Sequence, residues 1–240
     1  PRPRARAPES PPRPAPARPL GPGAGGRWVS LAMAAEDVVK EPLSGCLLPA
    51  TTRDGGPAGA ERKLTLVGAA MRPTRFAFIE FQVYALGIYA DLKELPAAMF
   101  KAPASGGDGE AAEREVLSAL ASNPCDRVFT LTFLRGISGQ QLSDGLTQSL
   151  TDAGVPADAI AEVFTHLPPQ IDKGSTARFD VRPAAGVVEV TFASASGGAE
   201  AFPVHRKELC EGINEIYLGE GSIVKGMGAS LLERLPTLCA

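Results

Sequence analysis

The sharpest alternation of apolar and polar positions in the chain runs from Met71 to Asp91, MRPTRFAFIEFQVYALGIYAD, where Phe76, Phe78, Phe81, Tyr84 and Tyr89 sit among small and β-branched residues. Residues of this kind favour a pleated, half-buried surface, so the stretch reads as β-structure. From Phe76 to Tyr84 the even positions carry Phe76, Phe78, Glu80, Gln82 and Tyr84, and the odd positions carry Ala77, Ile79, Phe81, Val83 and Ala85. A period of two places the two sets on opposite faces of a sheet. The odd face is expected to be dry. The even face mixes aromatic surface with polar tips, a composition that suits either a ligand cleft or a partly exposed sheet face.

The rest of the chain alternates between the same period and a helical one. Strand-like alternation starts at Arg62, with Leu64, Leu66 and Gly68 on one side and Thr65 and Val67 on the other. A short helix is expected over Asp91–Phe100, a loop over residues 102 to 109, and a helix over Glu110–Ser122 with Val116, Leu117 and Leu120 on its inner side. Asp126 to Arg135 is a strand. Ser138 and Gln141 then form an S-x-x-Q capping box that opens a helix with Leu142, Leu146 and Leu150 along one edge, stopped by Gly154. Another helix carries Ile160, Val163, Phe164 and Leu167 as far as Pro168-Pro169. Gly174–Arg182 and Gly186–Ala193 read as a hairpin, followed by the loop SASGGAEAF. His205–Leu218 is a helix with Leu209, Ile213 and Ile216 buried, and Ser222 is expected to cap a last helix through Met227, Leu231 and Leu235. Residues 36 to 61 read as irregular. This order predicts an α+β domain, a large antiparallel sheet covered on one face by helices.

Charge divides the chain. Residues 1 to 32 carry six Arg and one acid, a charge of +5, which leaves −8 on the remainder of a chain with net charge −3. The acidic body argues against nucleic acid as a partner, because phosphate binding needs clustered Lys and Arg. Residues 1–35 are Pro- and Arg-rich, cannot build a core, and are expected to be a disordered leader, a possible transit peptide; residues 36–240 form the folded domain. If Met33 is the true start, a cytoplasmic protein is expected instead. Cys46, Cys125, Cys210 and Cys239 are widely spaced, and with only His166 and His205 beside them they make no zinc pattern. Reduced cysteines packed as small hydrophobes are expected. No apolar run reaches the roughly 18 residues needed to span a bilayer.

Familiar catalytic patterns fail. Neither histidine lies in a nucleophile motif, and the Gly-rich pieces lack the strand, helix and Lys context of a phosphate loop. What is left is Arg72 with Tyr84. In a straight strand they would be roughly 40 Å apart. They can meet only if the chain reverses near residue 78, where no Gly or Pro marks a turn. If they do meet, a bidentate guanidinium and a neutral phenol would converge on a carboxylate at the mouth of an apolar cleft.

Several segments carry a resemblance: VKEPLSG at 39 to 45, ALGIYAD at 85 to 91, LRGISGQQLSDGLTQSL at 134 to 150, KGSTARF at 173 to 179, and RKELCEGINEIYLGEGSIVKGM at 206 to 227. In order and spacing, over residues 38 to 235, they resemble the chalcone isomerase fold family. The resemblance implies an open-faced β-sandwich with a large antiparallel sheet and helices packed on one face. Isomerases of the family use an arginine, a threonine, a tyrosine and an asparagine on one helix, and a late Ser or Thr. On this sequence Arg72 matches the arginine, the threonine position reads Tyr84, the helix tyrosine reads Leu142, the asparagine reads Ser149, and Ser194 stands for the late residue. The site is thus degenerate for catalysis. Fatty-acid-binding members of the family resemble the chain in pairing Arg with Tyr at the Arg72 and Tyr84 positions. This implies a non-catalytic plastid protein of lipid metabolism that binds a fatty acid or similar amphiphile without a cofactor. Arg72 and Tyr84 would hold the head group, and Leu142, Leu146, Ser149 and Ser194 would line the cleft. Two alternatives stand beside it: a chalcone isomerase with a degenerate site, and an accessory interaction module with an unknown protein partner.

Overall fold

Eleven strands and five α-helices are found among the residues that the computed structural model describes, 38–55, 61–76, 79–100 and 109–238. The expected leader, residues 1–35, and Cys239 lie outside them. Seven strands form one sheet: β3 (Thr51–Gly55), β4 (Glu61–Phe76), β5 (Ile79–Ala90), β6 (Arg127–Phe133), β9 (Thr176–Arg182), β10 (Val187–Ala193) and β11 (Ala199–Val204). The spatial order is β11-β10-β9-β6-β5-β4-β3, and every neighbouring pair is antiparallel. Two small ribbons stand apart, β1 (Val38–Lys40) with β2 (Leu47–Pro49), and β7 (Ile137–Ser138) with β8 (Gln170–Ile171).

Helices α1 (Gly109–Ser122), α2 (Gly139–Asp152), α3 (Ala157–Phe164), α4 (Lys207–Leu218) and α5 (Met227–Leu238) share one large core with one face of the sheet. Their apolar stripes supply Leu120, Leu146, Ile160, Ile213 and Leu231 against Leu86, Ile88, Phe129 and Leu131. The opposite face carries a smaller core, in which Leu48 of β2 packs on Leu64, Leu66, Ala85, Tyr89 and Val128. This is the expected α+β architecture, a large antiparallel sheet with its helices on one side.

The structure departs from the sequence pattern in informative places. Met71–Asp91 is not one strand. It holds the end of β4 and all of β5, which meet with Phe76 opposite Ile79, so the chain reverses between them; residues 77 and 78 lie outside the description. The even and odd faces also fail to stay constant. A bulge leaves Val83 without a partner between the pairs Arg72–Tyr84 and Pro73–Gln82. One extra residue inverts the phase of a strand. Phe81 and Val83 therefore share the helix-side face with Tyr84, while Ala85 and Tyr89 turn to the other face. A second irregularity at Val67 of β4 sends Gly68 to the helix side, where an added Cβ would meet Met227 and Leu231.

Other differences have simple causes. Ala199–Val204, expected as loop, is an edge strand; its mostly exposed side chains show no pattern, and only its backbone pairing with β10 defines it. The helix expected over Asp91–Phe100 shrinks to a 3₁₀ turn at Ala97–Phe100 after Pro96, which cannot extend a helix backwards. The segment expected to be irregular contains β1, β2 and β3. Ser222 closes α4 instead of opening α5, its hydroxyl donating to the Tyr217 carbonyl at 2.9 Å.

Candidate functional site

The hairpin register makes the site. Arg72 and Tyr84 are direct cross-strand partners, so their side chains leave the same face side by side. Thr74 and Phe81 are the next pair on that face. Across from them runs α2. Its start is fixed by the capping box, with the Gln141 N–H donating to Ser138 Oγ at 3.1 Å and the Ser138 N–H donating to Gln141 Oε1 at 2.9 Å. Gly139 is pinned as well, because its N–H donates to the Pro169 carbonyl at 3.1 Å and a Cβ there would collide with the Pro168 carbonyl. This start aims Leu142 and Leu146 at the hairpin.

Between hairpin and helix lies a cleft of about 490 Å³, within the roughly 300–1,000 Å³ range of small-molecule sites. Phe81, Val83, Ile137, Leu142 and Leu146 give it apolar walls, and Arg72 and Tyr84 supply polar groups from the sheet. Arg135 stands at an exposed position of the lining, its guanidinium carbon 4.7 Å from the Phe81 ring centroid, as in a cation–π contact. Asp144 and Gln141 contribute from α2.

Arg72 is only partly committed. Its Nη2 donates to the Gly145 carbonyl at 3.3 Å. Its Nη1 is shut off from solvent and makes no hydrogen bond of ordinary geometry among the described residues. The guanidinium also donates toward the Tyr84 hydroxyl. Tyr84 is 2% exposed, its ring set edge-on to Phe133 at 6.0 Å. Its hydroxyl lies 3.3 Å from that of Tyr217, which is 1% exposed and stacked on Phe129. Burial raises the Tyr84 pKa above the ordinary phenol value, and the charge of Arg72 and the bond to Tyr217 only partly offset it. Burial likewise pushes the Tyr217 phenol well up, with the neighbouring Tyr84 adding to it. Both phenols are therefore neutral donors at ordinary pH.

Of the residues singled out from sequence, Arg72, Tyr84, Leu142 and Leu146 meet in this one cleft. Ser149 does not line it; it is half-buried further along α2. Ser194 is elsewhere, in the turn between β10 and β11, three strands from β5. There it lines a second pocket of about 230 Å³ with His166, Ser175 and Glu200. Sequence reasoning missed Phe81 and Val83, which it had placed on the dry face, and also Arg135 and Tyr217. Tyr217 had a signal: it falls in a buried helical stripe, where a tyrosine must carry its hydroxyl to a partner. Among the described residues no cluster of His, Cys, Asp and Glu could hold a metal ion, no helix is long and apolar enough to cross a membrane, and Cys46, Cys125 and Cys210 are unbridged.

An antiparallel sheet with helices on one face, and a cleft between its long hairpin and one helix, define the chalcone isomerase fold, and the resemblance read from the sequence is shown. Chalcone–flavanone isomerase of Zea mays is 26% identical over 209 residues, 81% of this chain and 87% of that protein. The enzyme of the same name from Oryza sativa subsp. japonica is 26% identical over 214 residues, 82% of this chain and 88% of that one. Among solved structures, the crystal structure of a fatty-acid binding protein of Arabidopsis thaliana superposes with a TM-score of 0.62 at 19% identity, over 84% of this chain and 98% of that one. At that identity the likeness speaks for the fold. No family model matches the chain.

Proposed function

We propose that this protein is a non-catalytic member of the chalcone isomerase fold group that binds a fatty acid or a related amphiphilic carboxylate in the cleft between hairpin and α2. The observation that carries this reading is the convergence of the Arg72 guanidinium and the neutral Tyr84 hydroxyl in the lining of one largely apolar cleft. A carboxylate oxygen suits both donors, and a charge-assisted bond of this kind is among the stronger ones available. Leu142, Leu146, Ile137, Val83 and Phe81 suit an alkyl chain. The solved structure of the same fold being a fatty-acid binding protein supports the reading. Leu142 at the position where the isomerases hold a tyrosine removes a hydroxyl that would polarise an enone.

Calorimetric titration with laurate tests this. The unsubstituted protein is expected to bind, and Arg72→Ala to bind about ten- to a hundredfold more weakly, the loss of a charge-assisted bond worth roughly 1.5–3 kcal/mol. Absence of binding, or equal binding by both proteins, overturns the proposal. The second reading, an isomerase, draws on the two sequence relatives named for that activity. Turnover of naringenin chalcone above the spontaneous rate would favour it over simple binding.

A further inference from the structure

The Arg72–Tyr84 pair does not stand alone. We propose that Tyr217 is a positioning residue of this site, holding Tyr84 as a hydrogen-bond donor toward the cleft for an accepting head group. The inference rests on the binding reading above and names what selects the ligand's head group.

The argument is one of proton accounting. A phenol has a single proton to donate and can accept through its oxygen. The two hydroxyls face each other at 3.3 Å, and the Arg72 guanidinium also donates toward the Tyr84 oxygen. One of them must donate and the other accept. Tyr84 lines the cleft; Tyr217 does not, being packed against Phe129 and 1% exposed. If Tyr84 donated to Tyr217, the Tyr217 proton would be stranded in an apolar interior, where an unsatisfied donor is costly. If Tyr217 donates to Tyr84, the spare proton belongs to the residue that reaches the cleft, where a ligand oxygen can take it. The second arrangement wastes no donor. It also leaves the Tyr84 oxygen lone pairs for Tyr217 and for the positive field of Arg72, and a chain of hydrogen bonds polarises each member in the same sense.

The result is a sheet-side wall that offers donors, while the Asp144 carboxylate stands on the α2 side of the same cleft. Arg72 Nη1 and the Tyr84 hydroxyl both give protons, and the nearby Gly145 carbonyl already accepts from Arg72 Nη2. Carboxylates fit this pattern best. Both phenols are held in their protonated form by burial, so the donor character persists across the ordinary pH range.

Tyr217→Phe keeps the ring and removes the hydroxyl. Titration with laurate and with dodecanol, which shares the chain but lacks the charge, separates a head-group role from a packing role. Laurate affinity is expected to fall about three- to tenfold in Tyr217→Phe, the loss of one ordinary hydrogen bond, while dodecanol affinity stays within about twofold. An unchanged laurate affinity, or an equal loss for both ligands, overturns the inference and leaves the binding reading in place. Failure of the unsubstituted protein to bind laurate overturns both. A second measurement needs no variant: the carboxyl carbon of bound [1-¹³C]laurate, followed by NMR against pH, should stay in its ionised form to lower pH than the free acid. A bound carboxyl that titrates like the free one, or at higher pH, counts against this donor pair.

Discussion

Two tyrosines of one strand, five residues apart and both almost wholly buried, show how little burial alone says about a site. Tyr84 faces the helices and Tyr89 the small core on the opposite side of the sheet. Each has arginine nearby. On the Tyr89 side those arginines are already satisfied. Arg178 binds Asp180, Thr52 and the Arg53 carbonyl, and Arg234 binds the Leu66 carbonyl through two nitrogens. The Tyr89 hydroxyl makes no hydrogen bond among the described residues. On the Tyr84 side the phenol is paired with Tyr217, the arginine lines the same cleft, and there is room for a ligand. The candidate site is a place where donors and empty space coincide; an unsatisfied buried hydroxyl elsewhere is only a cost.

The largest effect expected of this contrast is common to both sides. The chain has three tyrosines, and burial raises the pKa of all of them. Above about pH 10 the unfolded chain loses these protons while the folded protein keeps them. Their contribution is therefore intact below that pH and lost above it, by roughly 1.4 kcal/mol per tyrosine for each further pH unit until the folded values are reached. Cys210, pushed up to about 11 by burial, adds in the same direction from a lower starting pH. Alkaline titration should show tyrosinate absorbance and loss of circular dichroism in one transition. Tyrosinate forming in a protein that is still folded would break the picture.

Next in size is Tyr84→Phe. It should weaken laurate binding about three- to tenfold and lower stability by about 1 kcal/mol, because Tyr217 is left without its partner. Urea denaturation and titration on the same variant measure both, and intact binding would remove Tyr84 from the site. The smallest effect, of opposite sign, is Tyr89→Phe, which deletes an unsatisfied hydroxyl. It should leave binding unchanged and raise stability by up to about 1 kcal/mol, seen as a midpoint some 2–4 °C higher. A loss of stability there would mean that the hydroxyl has a partner after all.

The sequence pattern carried the architecture well, because most elements bury one regular face: α2 is legible from Leu142, Leu146 and Leu150 and from its cap. It carried the Arg72–Tyr84 pair only as a condition, since the hairpin that joins them has no Gly or Pro to announce it. What it could not carry were features that break periodicity. The Val83 bulge reverses the meaning of odd and even, so Phe81 and Val83 were assigned to the wrong face. The edge strand β11 is defined by backbone pairing and leaves no side-chain signature. Pattern marks Tyr217 as buried in a helical stripe, but whether it or Ser194 stands near β5 depends on how distant segments pack. The helix brought Tyr217 in, and the strand order kept Ser194 out.

The bulge at Val83 has one more consequence. On its inner side the hairpin belongs to the core, where β5 packs through Leu86 and Ile88 and tolerates little. On its outer side the same hairpin is a wall of the cleft. On the helix side Phe81, Val83, Tyr84, Leu86 and Ile88 run on from the cleft into the core. Substitutions at Thr74 and Phe81 therefore change the cleft wall at one end of that row, while Leu86 and Ile88 hold the core at the other.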